Sequence, residues 1–264
     1  TGMTVLHDPV TGAPIDLGTV RGNGNQETGG WAYEDIASGT NTGNLNVNQN
    51  ATLESSTCGI AWDASGTHGF ASQQFEPLTD KVDWNPVTGT GTVAGEIAPF
   101  TGANLQHQEA SDKANDRLYV TDSDGNVYVY AMSTGAEVGA INMRALTGTP
   151  DNNVHGVEVS PSNSNVIYVT SRYTPDAASN MEVIVDVSSL ATPTLIGSVV
   201  GLAEGACGVY AIADKSEYYA AANPTGVGNE MLFVANGRES NVAVIDVGSM
   251  SIVDKVLVPD QPTP

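Results

Sequence analysis

The chain has 264 residues, of which 30 are acidic and 9 are basic, and its formal net charge is −21. A surface this acidic repels phosphate backbones and anionic lipid headgroups, which argues against a nucleic-acid-binding protein. No stretch approaches the ~18 consecutive apolar residues of a membrane span, so we expect no membrane insertion. Abundant Gly, Thr, Asn, Ser and Val favour strands over helices, and this polar, acidic composition suits an extracellular, cell-surface or periplasmic protein.

The first predicted element is a hairpin over residues 3–20, MTVLHDPVTGAPIDLGTV. Apolar residues alternate on both sides of an Asp-Pro-Val-Thr-Gly turn, which is typical of two antiparallel strands. The segment 21–56 that follows is long and contains many Gly and Asn residues. We interpret it as an insertion.

A repeat begins after this insertion. Four stretches open with Cys58, His107, His155 and Cys207, which lie 49, 48 and 52 positions apart. Each opening residue is followed by a short alternating strand and a polar turn. A strand-turn-strand pattern then starts at 82, 127, 182 and 242. About four short strands per period of roughly 40–50 residues are typical of a β-propeller blade. The predicted fold class is therefore all-β, a β-propeller of four-stranded antiparallel blades.

The repeat predicts four whole blades at about 57–105, 106–153, 154–205 and 206–258, in one propeller domain over 57–264. Residues 1–20 match the second half of the repeat, so we interpret them as the outer half of a further blade. A half blade does not close a ring. The chain is then part of a larger polypeptide and ring, or strands within 21–56 complete the first blade, or a second chain closes the ring. We favour the first of these explanations.

Two stretches resemble a known family. HGVEVSPSNSNVIYVTS and LFVANGRESNVAVIDVGSMSIVDKV are similar to the YVTN-type repeat of bacterial and archaeal surface propellers and of lactonase-like propellers. The resemblance covers roughly residues 57–258. It implies a secreted, periplasmic or surface setting. It implies no particular activity, because one propeller scaffold carries many functions.

The four opening residues are candidate metal ligands. In a propeller, Cys58, His107, His155 and Cys207 would begin the innermost strand of successive blades and face one central channel. Two thiols and two imidazoles suit zinc or copper. The structural interpretation is favoured: the imidazoles bind backbone carbonyls and the cysteines pack as small apolar residues. A disulfide or redox role for the cysteines is a third interpretation.

A second candidate metal site is the turn DSDG, whose Asp122 and Asp124 resemble part of a calcium loop. The other ligand positions and the closing Glu of such a loop are missing, which favours a plain turn.

Two functional hypotheses follow. The first is a propeller that acts as a binding or assembly module without catalysis, with other protein subunits or surface or filament components as partners. It requires no cofactor. The second is a metal-dependent enzyme, a copper or zinc oxidoreductase or a lactonase-like propeller, with its site at the channel. Its candidate residues are Cys58, His107, Glu109, His155 and Cys207.

Overall fold

A computed structural model describes residues 3–7, 14–20, 30–35, 40–46, 59–73, 78–85, 90–97, 106–149, 153–172, 180–203, 205–217, 226–236 and 239–258. The described strands form five antiparallel sheets of four strands each, and in every sheet the strands are neighbours in chain order. This is the strand order of a propeller blade. The all-β, propeller-like fold predicted from the repeat is confirmed.

The chain divides into two compact units. The first contains Thr1–Asp122 and Tyr128–Val138, and the second contains Ser123–Val127 and Gly139–Pro264. Sheets 1 and 2 belong to the first unit. Sheet 1 consists of β1 (Met3–His7), β2 (Pro14–Val20), β3 (Gly30–Asp35) and β4 (Thr40–Asn46). Sheet 2 consists of β5 (Ala61–Trp62), β6 (His68–Ser72), β7 (Thr79–Asn85) and β8 (Thr90–Ile97).

Three further sheets follow along the chain. Sheet 3 consists of β9 (Gln106–Asp112), β10 (Arg117–Asp122), β11 (Asn126–Ala131) and β12 (Glu137–Asn142). Sheets 4 and 5 belong to the second unit. Sheet 4 consists of β13 (Asn153–Val159), β14 (Val166–Arg172), β15 (Met181–Asp186) and β16 (Thr194–Val200). Sheet 5 consists of β17 (Ala206–Ile212), β18 (Met231–Asn236), β19 (Asn241–Asp246) and β20 (Ser251–Leu257).

Sheet 1 differs from the predicted half blade. Two of its strands, β3 and β4, lie inside the segment 21–56 that we interpreted as an insertion, and they pair with β2 and with each other. The half blade with an insertion is thus replaced by the alternative, in which strands within 21–56 complete the first sheet. The sequence of β4, TNTGNLN, does not predict a strand, because Asn and Gly have low strand propensity and the segment has no alternation of apolar residues.

Burial changes from the inner to the outer strands of a sheet. The second and third strands of sheet 4, β14 and β15, are buried along almost their whole length, whereas most of the fourth strand, β16, is exposed. Strands rich in Val, Ile and Tyr, such as VIYVTSR, fit positions buried on both faces. Within the second unit β13 packs beside β17 and β16 beside β20, so equivalent strands of sheets 4 and 5 are neighbours.

Each unit has its own apolar core. In the first unit, Trp62 and Trp84 of sheet 2 meet edge to face with ring centroids 6.2 Å apart. In the second unit, one cluster joins Tyr168 and Ile184 of sheet 4 to Leu232 and Ile245 of sheet 5. Burial of these side chains in the second unit supplies most of the attraction between sheets 4 and 5, since the removal of apolar area from water is the dominant favourable contribution to the free energy of folding.

Helical structure is minor. The helix α1 (Met143–Thr147) is capped at its start by Asn142, whose side chain accepts a hydrogen bond from the backbone N–H of Ala145 at 2.8 Å. Gly148, with a φ of 72°, caps its end. Among the described residues, two single turns of 3₁₀ helix span Lys215–Glu217 and Val227–Asn229. In the described part of the chain, no helix is long and apolar enough to cross a membrane.

Candidate functional site

Three of the four predicted ligands lie near the start of the first strand of their sheet. His107 is the second residue of β9, His155 the third of β13 and Cys207 the second of β17. Cys58 lies outside the described residues. His107 belongs to the first unit and the other two to the second. That all four face one channel, and that they bind zinc or copper, stays a prediction.

The register of the first strand shifts close to each of these residues. The pairing slips between Val154 and Gly156 in β13, and between Ala206 and Val209 in β17. A bulge of this kind places an extra residue in one strand and redirects its side chain. The His or Cys that opens the repeat therefore occupies an irregular point of the strand, which the alternating sequence pattern does not reveal.

His155 links sheet 4 to sheet 5. Its ring Nδ1 lies 2.7 Å from the carbonyl oxygen of Cys207, and its side chain is buried. A carbonyl oxygen only accepts hydrogen bonds, so Nδ1 carries the proton and donates it. In the neutral ring the lone pair then lies on Nε2. This contact is the backbone-binding role that we favoured for the imidazole.

A glycine follows three of the four opening residues, and at Gly59 and Gly156 it permits a close approach between sheets. A Cβ atom on Gly156 would lie 2.9 Å from the carbonyl oxygen of Cys207 and 2.7 Å from Oγ1 of Thr170. In the first unit, a Cβ on Gly59 would lie 2.8 Å from Oε2 of Glu109. Glycine supplies the space for this backbone packing. Gly59 and Gly156 thus serve the fold.

Glu109 is a buried carboxyl group of the first unit. Burial raises its pKa to about 8, against hydrogen bonds from Ser72 that lower it. The backbone N–H of Ser72 donates to Oε1 of Glu109 at 3.3 Å. The Ser72 hydroxyl contacts both Oε2 of Glu109 and the carbonyl oxygen of His107. A protonated Glu109 satisfies all three groups, because it donates to the hydroxyl, which in turn donates to the carbonyl. Residues of sheets 2 and 3 are joined by this contact.

Glu182, on the third strand of sheet 4, is a buried carboxyl group of the second unit. Burial raises its pKa to about 8, and the Thr170 hydroxyl donates to its Oε2 at 2.8 Å. Its Oε1 has no hydrogen-bond partner in the described part of the chain. A neutral carboxylic acid fits this position better than a carboxylate, because an isolated buried charge is costly.

A third buried carboxyl group connects the second unit's sheets. Glu230, just before β18, accepts hydrogen bonds from the Ser160 hydroxyl at 2.6 Å and the Ser162 backbone N–H at 3.0 Å. The hydroxyls of Ser162 and Tyr168 also contact it. Burial raises the pKa of Tyr168, so its phenol stays a donor. Glu230 therefore fixes the Ser-Pro-Ser-Asn turn of sheet 4 to sheet 5. Sequence analysis missed it, since nothing local marks it as buried.

The predicted calcium turn has a divided environment. Asp122 is buried at the end of β10, and Asp124 is exposed in the turn before β11. Over the ranges that the structure describes, no group of three or more His, Cys, Asp or Glu residues is arranged to hold a metal ion. Calcium binding by Asp122 and Asp124 stays a prediction.

Comparisons with known proteins give a fold. No protein-family model and no curated protein sequence matches the chain. Solved structures do match it, in 1362 chains. One is "Kuenenia stuttgartiensis Hydrazine Synthase", at 19% identity and a TM-score of 0.53, over 76% of this chain and 49% of the solved one. This chain therefore aligns with about half of the length of that protein. The match supports the propeller-like fold and carries no activity with it.

Proposed function

We propose that the chain is a binding or assembly module with a propeller-like fold, without catalysis of its own, at an extracellular, cell-surface or periplasmic location. Its partners are other protein subunits or components of a surface or filament. The observation that supports this proposal is the set of large apolar side chains exposed on the outer strands and last sheet. They are Val138, Leu195, Ile196, Val200, Tyr210, Met250, Val253, Val256, Leu257 and Val258. Exposed apolar residues that form a patch are typical of a protein-protein contact surface.

We further propose that sheets 4 and 5 are of the YVTN type. The segments VIYVTS and LFVANG, which carry the resemblance, supply the second strands β14 and β18. The turn SPSN joins β13 to β14 at the place of the family's Ser-Pro-Asp-Gly turn, of which it keeps Ser-Pro. This assignment supports the surface or periplasmic setting, to which the net charge of −21 is also suited.

The test compares the native assembly with the isolated chain. Hydrogen exchange is measured on the chain purified alone and within the assembly obtained from its source under mild conditions. We expect slower exchange at β16, β17 and β20 in the assembly, because a partner covers their exposed residues. The metal content of the same sample is measured alongside. A compact isolated monomer that turns over a substrate with stoichiometric copper or zinc would contradict the proposal and favour the metal-dependent enzyme.

A further inference from the structure

One face of sheet 5 departs from the usual relation between burial and polarity. Residues directly across paired strands share a face, which places Tyr210, Phe233 and Val244 in one row and Ala235, Val242 and Val256 in the next. We call the face that carries these rows the outer face of sheet 5. Tyr210 is 63% exposed and Val256 is 45% exposed. Ala235 is exposed too, and Phe233 and Val242 are half-buried. Val244 and Met231 on the same face are fully buried, so its open part surrounds Tyr210, Ala235 and Val256.

The same face of sheet 4 is covered. In the repeat, Glu158, Tyr168 and Ile184 of sheet 4 correspond to Tyr210, Phe233 and Val244 of sheet 5, and Thr170 and Glu182 correspond to Ala235 and Val242. Tyr168, Thr170, Glu182 and Ile184 are fully buried. The atoms that cover Tyr168 and Ile184 belong to sheet 5, from its opposite face, which carries Leu232, Val234, Ala243 and Ile245.

The polarity of the two faces is opposite to what their exposure to water predicts. Sheet 4 places Glu158, Thr170 and Glu182 where sheet 5 places Tyr210, Ala235 and Val242, so the more exposed face is the more apolar one. The face of an antiparallel sheet that contacts water ordinarily carries polar residues. An apolar face at the position where the repeat stacks one sheet on the next indicates a surface made to be covered by another sheet.

The size of the face constrains its partner. Four strands about 4.8 Å apart, with about seven residues of ~3.3 Å each, present a face of roughly 450 Å². A stable protein interface buries about 800 Å² on each partner. The partner must therefore also contact the surface around the face. That surface is acidic overall and includes Asp254, which shares the row of Tyr210 and Phe233. A second copy of this chain would bring another net charge of −21.

We propose that the outer face of sheet 5 binds the apolar face of a four-stranded antiparallel sheet in a basic partner protein, with lysine or arginine residues around that face. The inference rests on the proposed function, for which it names the surface and the chemistry of the partner. Sheet-on-sheet packing supplies the contact area, and opposite charges at the rim select a basic partner over an acidic one.

Two designed probes test the inference on the full chain. Both are small four-stranded antiparallel sheet proteins with the same Val/Ile face, one with a lysine rim and one with a glutamate rim. We expect isothermal titration calorimetry at low salt to show that the lysine-rimmed probe binds with an affinity about tenfold or more higher than that of the glutamate-rimmed probe. The variant Y210K/V256K should lose about tenfold or more in affinity for that probe, because it places two charges in the apolar face.

A matched variant separates the face from general charge effects. A136K/A140K adds the same two charges at exposed positions just before and within the fourth strand of sheet 3, away from the proposed contact surface, and it should bind the lysine-rimmed probe about as tightly as the unchanged chain. Circular dichroism and thermal melting confirm that both variants fold. Failure of the lysine-rimmed probe to bind, or equal binding of both probes, overturns the inference.

Two other outcomes also overturn the inference, and they differ in what they mean for the proposed function. If the lysine-rimmed probe binds Y210K/V256K and the unchanged chain equally, the surface is wrong while a binding module stands. If sedimentation shows that the chain self-associates and Y210K/V256K abolishes this, the occupant is a second copy. The proposed function itself fails only in the comparison of native assembly and isolated chain.

Discussion

Sheets 4 and 5 are two copies of one repeat that use the same face differently. In sheet 4 the face packs on sheet 5, and its buried polar groups are joined to specific partners, as Tyr168 is to Glu230. In sheet 5 the rows of Tyr210 and Val242 on the equivalent face contain one acidic residue, Asp254 on the outer strand β20. Repetition of a strand pattern thus does not impose repetition of environment, and substitutions at equivalent positions measure the difference.

The largest expected effect is at the central aromatic residue of each face. Tyr168→Ala should lower the free energy of unfolding by ~3–5 kcal/mol, because it removes a fully buried ring and leaves a cavity. Phe233→Ala, its counterpart in half-buried surroundings, should cost about 1–2 kcal/mol. Urea unfolding followed by circular dichroism measures both. Equal losses would show that the two faces are covered to the same extent.

The next effect is a pH dependence from Glu182, a buried carboxyl group of sheet 4 at the position where sheet 5 carries Val242. Folded Glu182 has a pKa of about 8 against 4.5 unperturbed, so it holds its proton longer when folded than when unfolded. Its contribution is therefore most favourable below about pH 4.5 and is lost as the pH rises through 8, by ~2–4 kcal/mol. Glu109, with a pKa raised to about 8, and Glu158, raised to about 7, act in the same direction.

Replacing Glu182 by the residue of sheet 5 isolates its share. Glu182→Val should make the curve of unfolding free energy against pH flatter between 5 and 9 and should raise stability at pH 9. Glu239→Gln is the control, because this exposed carboxylate has a pKa lowered by hydrogen bonds from Asn241 and Lys255 and should not change the slope in that range. An unaltered slope in Glu182→Val would mean that Glu182 is ionised in the folded chain.

The smallest expected effect concerns the close approach of β13 and β17. Gly156→Ala should lower the free energy of unfolding by ~1–3 kcal/mol, because its Cβ meets the carbonyl oxygen of Cys207 and the Thr170 hydroxyl. Gly139→Ala on β12 is the matched control, since its Cβ would meet only Cβ of Leu190 at 3.8 Å, an ordinary contact. Thermal denaturation of both variants compares them. A neutral Gly156→Ala would show that the two strands separate easily.

Local sequence patterns predicted most of the fold but few of the buried residues of the candidate site. The alternating run VIYVTS and the turn SPSN mark their own structure, so the strands β13 and β14 were foreseeable. Strand β4 was not, because its stability comes from pairing with β3 and its sequence is polar. Burial of Glu182 and Glu230 was not foreseeable either. A Glu at a strand end is ordinarily solvated, and only the stacking of a second sheet, which is contact at long sequence separation, removes it from water.

The fourth strands carry an evolutionary consequence. Most side chains of β16 and β20 are exposed, whereas β14 and β15 are buried almost throughout. Mutations on β16 and β20 therefore cost little folding stability, so selection on these strands acts through binding and not through folding. Among descendants of a common ancestor, inner strands should stay recognisable while the rims diversify, so new binding specificities can arise on an unchanged scaffold.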